Sequence, residues 1–313
     1  MTRLSSTDPI PQELQGAVIA LGNFDGVHQG HQAVIGAAVD MARADGSPVL
    51  VATFDPHPAR HFKPDAPPFR LTTLEQREVL FAAYGADAMV VFEFDAALAG
   101  TSAEDFVNRH LLTHMGVKGI VTGTDFTFGK DRSGNIDVMR RLAAQAGIGT
   151  KAVPPVHDGG GVISSTRIRQ ALQAGDPQEA ARLLTRPFAI RGEVVHGAKL
   201  GRTIGYPTAN VELGPYLRPK YGIYAVTGHL PDGRVIKGAA NLGIRPSFDP
   251  PKELLEPYFF DFAEDLYGQT IEVALHHFLR PEAKFDTLDA LTEQMEKDCA
   301  KARALLDALP AFD

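Results

Sequence analysis

Two histidines three residues apart, His28 and His31, stand in the stretch LGNFDGVHQGH at 21–31. At that spacing both imidazoles lie on one face of a helical turn. The stretch follows the apolar run 17–20, which reads as a buried strand, and precedes 32–44, which has helical periodicity. A glycine-punctuated turn from strand to helix is expected, with Gly22, Asn23, Phe24 and Asp25 in the turn. Gly26 and Gly30 remove side-chain bulk where a ligand approaches the backbone. The start of the helix adds unpaired N–H groups and the positive end of its dipole, which together make an anion site. Histidines add donors that follow charge as it develops. Triphosphate chemistry suits that arrangement. Three plainer readings compete: surface or core histidines, a zinc site, and a simple strand-to-helix turn. A helical zinc pair sits at i and i+4 with a carboxylate between, whereas Gln29 follows His28. A simple turn accounts for the glycines but not for both histidines.

Other stretches carry chemistry of the same kind. GTDFTFGK at 123–130 sets Asp125 beside Phe126 and Phe128; alternate phenylalanines in a polar glycine loop either face a core or grip a flat aromatic ligand. DPHP at 55–58 is stiff, and His57 either belongs to that stiffness or lines a pocket. ISSTRIR at 163–169 follows Gly159, Gly160 and Gly161, which read as a mobile loop, and Ser164 or Ser165 reads as a helix N-cap. It is either a capped surface helix or a second anion clamp in which Ser164, Ser165, Thr166 and Arg167 close on phosphate. GRTIGYPTAN at 201–210 is a glycine-rich loop entering a strand; alternatively Gly201 and Gly205 admit phosphate while Thr208 and Asn210 offer oxygen ligands to Mg²⁺. NLGIRP at 241–246, with Asn241 and Arg245, is a second such loop. Neither a Walker A sequence nor G-x-G-x-x-G occurs.

The elements that must position these residues change character midway. Strand-like runs at 17–20, 48–54, 88–94 and 117–122 alternate with helical patterns at 74–84, 103–114 and 136–146, which argues a parallel sheet with helices on both faces. The notable turns then fall at carboxyl ends of strands, where such sheets bind ligands. A helical stretch at 171–184, restarted at Asp176-Pro177, leads to a hinge at Arg186-Pro187. Beyond it, short strands at 188–196, 221–230, 234–241, 258–262 and 270–278 predict an antiparallel sheet or small barrel, closed by a helix over 288–309.

With 313 residues there is material for two domains, and a net charge of −7 gives no basic field for nucleic acid. Cys299 is the single cysteine, residues 1–15 do not form a secretory signal, and no apolar run approaches a membrane span. A cytoplasmic protein with no membrane or nucleic-acid partner is expected.

Together these stretches resemble the bifunctional riboflavin kinase/FAD synthetase family of bacteria over nearly the whole chain. His28-Gln29-Gly30-His31 and 163–169 match the two nucleotide motifs of the H-x-G-H nucleotidyltransferases, and 123–129 matches the flavin-side loop. In the second half, 201–210, 221–224, 241–246 and 265–268 match the riboflavin kinase module. The resemblance implies a Rossmann-like N-terminal FMN adenylyltransferase domain at 1–185 and an antiparallel β-barrel kinase domain with a terminal helix at 186–313. It implies ATP as co-substrate, Mg²⁺ as metal, and riboflavin and FMN as the other ligands. Gly22 to Asp25, Gly30, Asp125, Phe126, Phe128 and 164–166 would hold ligands of the first half, as would Gly201, Gly205, Pro207, Asn241 and Arg245 in the second. Glu256 takes the place of the family's kinase base, although Pro257-Tyr258 replaces the usual Thr-His, with Glu253 as the alternative three residues away. Thr208 and Asn210 would hold Mg²⁺, and His28, His31, Ser165 and Arg167 would stabilise charge during adenylyl transfer. Rival readings are another adenylyltransferase sharing His28 to His31, a flavin-binding regulator without turnover, and a tRNA-binding relative, the last opposed by the acidic balance.

Overall fold

The computed structural model describes residues 1–196, 205–245 and 252–309; Gly201, Pro246 and the Arg245 side chain lie outside the described residues. The chain forms two compact units, Met1–Pro67 with Leu74–Ser164, and Pro68–Thr73 with Ser165–Asp313.

The first unit is built on a six-stranded parallel sheet of β1 (Thr2–Ser5), β2 (Val18–Leu21), β3 (Val49–Asp55), β4 (Ala88–Glu93), β5 (Gly119–Gly123) and β6 (Gly149–Val153), in the order β1-β4-β3-β2-β5-β6. Its helices are α1 (Gln29–Arg43), α2 (Pro58–Phe62), α3 (Leu74–Ala83), α4 (Ala96–Ala99), α5 (Ala103–Asp105), which widens into π-helical turns over Phe106–His114, and α6 (Ile136–Gln145). Every residue of β2 is buried, and its period of two sends Ile19 and Leu21 to one core, with Phe106 and Leu142, and Val18 and Ala20 to the other, with Ile35 and Phe81. From β2 the chain steps outward through β3 and β4, then resumes on the other side of β2 as β5 and β6. That is the Rossmann-like reversal, and the crevice it opens lies between the carboxyl ends of β2 and β5.

Three differences from the sequence expectation have simple causes. The edge strand β1 buries Leu4 alone of its four residues, so residues 2–5 carry too little alternation to be read as a strand. Helix α1 starts at Gln29 rather than 32, because its first turn is polar and its apolar stripe begins at Val34. Gly159 and Gly160 turn a tight hairpin between β7 (His157–Asp158) and β8 (Gly161–Val162), with Gly160 N donating to Asp158 Oδ1 at 2.8 Å.

The second unit begins with α7 (Ser165–Ala174) and α8 (Pro177–Leu184), the latter capped by Asp176, which accepts from Glu179 N. Six antiparallel strands then close a barrel: β9 (Phe188–Val195), β10 (Asn210–Glu212), β11 (Gly222–His229), β12 (Val235–Arg245), β13 (Lys252–Phe259) and β14 (Thr270–Arg280), in the order β10-β13-β12-β11-β14-β9. Strand β13 begins six residues before the expected 258, because Glu253, Glu256 and Pro257 hide its strand pattern. Helix α9 (Leu288–Asp307) lays Ala302 and Leu306 on Ala225, Ala239 and Tyr258, and Asp298 fixes its approach by a bidentate pair with Arg280. Residues 68–73 lie along the same unit, with Arg70 N donating to Pro215 O at 3.1 Å and Leu217 N to Arg70 O at 2.8 Å.

In the barrel wall, His276 is the extra residue where β14 shifts register against β11, and its Nε2 bonds Thr227 Oγ1 at 2.9 Å. Burial, reinforced by neighbouring His277 and His229, pushes its pKa down from 6.5 to about 4. The folded state therefore keeps it neutral while the unfolded chain takes up a proton below 6.5. Stability of this unit should fall as pH drops from about 6.5 to about 4, by up to about 3 kcal/mol. His276→Gln, which retains a partner for Thr227 but cannot ionise, should flatten that decline in urea unfolding followed by circular dichroism. Parallel declines for the two proteins would contradict the assignment.

Candidate active site

The loop leaving β2 is strained and buried at once. Phe24 and Val27 take positive φ, 49° and 46°, while Gly26 sits at 90°. For side chains with a Cβ such conformations cost roughly 1–3 kcal/mol each, so the surroundings must impose them. Phe24 and Val27 are driven into the core at 1% and 0% exposure. Beneath them lies a water-excluded polar network. Arg77 Nη2 pairs with Asp25 Oδ1 at 3.2 Å and Arg77 Nη1 donates to Thr53 Oγ1 at 3.0 Å. Thr53 Oγ1 in turn donates to Asn23 O at 2.8 Å. Arg77, Asp25 and Thr53 are at most 1% exposed.

This loop delivers His28 to the N-cap position of α1 and His31 to its first turn. Their rings stack with centroids 3.7 Å apart and planes 20° from parallel. Phe24 meets His31 edge to face at 5.3 Å and is itself met by Phe81 of α3 at 5.6 Å. Gln32 N donates to His28 O and its Nε2 to Val27 O, both at 2.9 Å, closing the first turn. Gly30 explains itself by contact, since a Cβ there would lie 3.1 Å from the His28 ring. Gly22 does likewise at 3.0 Å from the Phe24 ring. The result is a helix start flanked by two stacked imidazoles, an arrangement able to receive phosphate oxygens.

At the end of β5, the Asp125 carboxylate folds back over Gly123, where a Cβ would meet it at 2.7 Å. Phe128 is 7% exposed, exchanges both backbone hydrogen bonds with Gly134, and packs on Phe106 at 5.5 Å. Phe126 stacks beside it at 5.8 Å, half-buried. His57 accepts from Ala59 N at 3.1 Å and so caps α2. Ser164 ends the first unit, and Ser165 opens α7 in the second with Thr166 and Arg167 in its first turn. There Arg167 pairs with Glu179 at 2.6 Å; Arg182 and then Arg167 hold that carboxyl below its usual range.

The barrel brings a second set together. Register sets Asn241 of β12 opposite Glu256 of β13, and the β10–β13 register (Val211 opposite Leu255), continued by one residue, sets Asn210 opposite Glu256. Asn210, Glu256 and Asn241 thus form one rung across three strands. It lies on the face that two residues along carries Ala239 and Tyr258 under α9, while Val211, Leu255 and Leu242 fill the other face at 0% exposure. Thr208 and Pro207 reach this rung because Ala209 N donates to Pro257 O at 3.0 Å. Tyr206 packs on Tyr258 at 5.0 Å, and Gly205 turns at φ 84° just before it. The Oδ1 of Asn241 is buried and accepts no hydrogen bond among the described residues. An orphaned acceptor costs about 1–3 kcal/mol, which a ligand donor or a cation would relieve. Oxygen donors on Thr208, Asn210 and Glu256 fit a hard divalent cation. Glu253 is committed elsewhere: Arg218 Nε donates to its Oε2 at 2.8 Å and Tyr221 OH to its Oε1. Against the opposing effect of burial, these partners hold the Glu253 carboxyl below its usual range, the wrong direction for a base; Tyr221 is pushed up to about 12 by burial and by Glu253.

Arg77 and Thr53 escaped the sequence reading. A signal existed: Arg77 falls three residues after Leu74 and four before Phe81, on the buried stripe of α3.

Residues 10–167 match the family model for FAD synthetase, and 184–306 match that for riboflavin kinase. Bifunctional riboflavin kinase/FMN adenylyltransferases from Escherichia coli and Pseudomonas fluorescens are 39% and 40% identical, each over 94% of this chain and 93% and 94% of their own lengths. The Bacillus subtilis protein of that name is 39% identical over 94% of this chain and 93% of its own. A crystal structure described as a macrolide-efflux protein from Streptococcus pneumoniae superposes with a TM-score of 0.87 at 33% identity, covering 97% of this chain and 99% of its own. Among the described residues no helix is long and apolar enough to cross a membrane.

Gly30→Ala separates stability from site geometry. Alanine favours a helix by up to about 1 kcal/mol over glycine, so the melting temperature should hold or rise. The added Cβ presses on the His28 ring, and a loss near 1.4 kcal/mol of transition-state contact lowers turnover about tenfold. Steady-state kinetics of the reaction assigned to the histidine site check this; an unchanged kcat would contradict it.

Proposed function

The chain belongs to the bifunctional riboflavin kinase/FMN adenylyltransferase family and makes FMN and FAD, and on that premise we propose which of its residues perform each half. The observation that carries the proposal is the pair of separate constellations, stacked imidazoles at a helix start in one unit and the Asn210-Glu256-Asn241 rung in the other.

In the kinase half, Glu256 accepts the proton of the riboflavin 5′-hydroxyl as that oxygen attacks the γ-phosphate of ATP. A positioned general base contributes roughly 10²–10⁴-fold. Glu256 is favoured over Glu253 because the latter is spent on Arg218 and Tyr221. Thr208 and Asn210 would hold Mg²⁺, which when bound would offset negative charge on the phosphates. Asn241 offers its unmatched acceptor to substrate hydroxyls. Gly201, Gly205, Pro207 and Arg245 are assigned to nucleotide and flavin binding by their motifs.

In the adenylyltransferase half, the FMN phosphate attacks the α-phosphate of a second ATP; an O–P bond forms and pyrophosphate leaves. The nucleophile is already an anion, so the protein must stabilise charge rather than remove a proton. His28 and His31 donate to the phosphate oxygens as charge shifts toward the leaving group, and loss of one such donor costs roughly 10²–10³ in rate, by analogy with oxyanion donors. Ser164, Ser165, Thr166 and Arg167 are assigned to this half by their motif. Asp125 and the half-buried Phe126, backed by Phe128, are assigned to the flavin ring. We assign the enzyme to the cytoplasm, with riboflavin, FMN and ATP as its partners.

Changing both His28 and His31 to alanine should abolish FAD formation while riboflavin is still converted to FMN. Chromatographic separation of the flavins reads both products, and loss of both activities in a folded protein would refute the division. Glu256→Gln should do the reverse, lowering FMN formation by at least about 10²-fold and sparing FMN adenylylation. Parental phosphorylation by that variant would remove Glu256 from its role.

A further inference from the structure

We propose that Arg77, acting through Asp25 and Thr53, is the positioning residue that holds His28 and His31 in register for adenylyl transfer. The inference rests on the assignment of the two histidines to that half-reaction.

Helix α3 reaches the histidines by two routes that begin one turn apart. From Arg77, the guanidinium grips the Asp25 carboxylate and, through the Thr53 hydroxyl, the carbonyl of Asn23. From Phe81, four residues on, an aromatic relay runs by edge contacts to Phe24 and then to His31, whose ring lies on His28. Both routes converge on residues 23–25, the segment that carries the strained Phe24. Such a backbone relaxes unless it is held from several sides. Thr53 fits its place in donor and acceptor count, since its one hydroxyl proton goes to Asn23 O and its lone pair receives Arg77 Nη1.

Arginine is required here by geometry. Its planar fork serves Asp25 with one terminal nitrogen and Thr53 with the other. Lysine has the charge but a single nitrogen, and cannot hold both partners in the same directions. Asp25 is 1% exposed, with its carboxylate engaged by Arg77, which makes it part of the support. The network therefore controls where two donors stand when charge develops, which affects turnover more than ATP capture. A displacement near 1 Å in such a site lowers rate about 10²-fold.

The test compares Arg77→Lys, Thr53→Val and the double alanine variant of His28 and His31 in the full-length enzyme, following kcat and KM for both half-reactions. Thr53→Val strands no buried charge, keeps the side-chain shape, and decides the matter if Arg77→Lys does not fold. Both positioning variants should lose about 10²-fold in kcat for FMN adenylylation, with KM for ATP within a few-fold and riboflavin phosphorylation at the parental rate. Proton–nitrogen correlation spectra of the histidine side chains should show His28 and His31 losing the mutual ring-current shifts of a 3.7 Å stack. Parental kcat and unmoved His28 and His31 resonances in Thr53→Val would overturn the positioning role while leaving the histidine assignment intact. Persistent FAD formation by the double histidine variant would instead overturn that assignment, and the positioning role with it.

Discussion

A salt bridge with both partners out of reach of water governs the first half of this molecule. Breaking a pair like Asp25–Arg77 by removing one partner strands a charge, at a cost of about 3–5 kcal/mol, so the two are conditionally useful: valuable only together and only in place. What they secure is a loop no local preference would form, in which a phenylalanine and a valine adopt positive φ and two imidazoles lie face to face. Charge burial and backbone strain are two unfavourable features in one loop. The parallel sheet makes them tolerable, because β2 and β3 fix both ends of the network through Leu21 and Thr53 at adjacent strand ends.

The second half solves a different problem by closure. In a closed antiparallel barrel, register leaves little freedom, and a polar rung on one face implies apolar neighbours on the other. Asn210, Glu256 and Asn241 are brought level by pairing between β10, β13 and β12. The two candidate carboxylates on β13 are then distinguished by surroundings. Glu253 is neutralised by Arg218 and bound by a phenol, whereas Glu256 stands beside the segment carrying Thr208 and Asn210. One strand thus supplies a structural acid and, three residues on, the proposed base.

Much of this was legible in the chain. The buried runs at β2 and β3, the alternation of strands and helices, and the change of texture past Arg186 all rest on local patterns that tertiary packing did not override. The histidine pair was readable because its spacing and its glycines are local too. Residues that act through distant partners were hidden. Arg77 looks like an ordinary helical arginine until Asp25, 52 positions earlier, is found beside it. Phe128 and Phe126 look alike in sequence, yet the backbone pairing with Gly134 sends one into the core and leaves the other at its edge. Strand β13 begins earlier than its pattern predicts because glutamates and a proline interrupt its apolar alternation, and one of those interruptions, Glu256, is the proposed base.

Sequence relatives matching over 94% of the chain and two family models meeting near the start of the barrel describe one enzyme with two chemistries. We propose that each chemistry has its own nucleotide site, built by a different kind of fold. Counting nucleotides is the most direct check. Equilibrium titration of the intact chain with a non-hydrolysable ATP analogue and Mg²⁺ should saturate at two per chain, falling to one when His28 and His31 are replaced by alanine. Saturation at one nucleotide in the parental enzyme, unchanged by that replacement, would contradict the account.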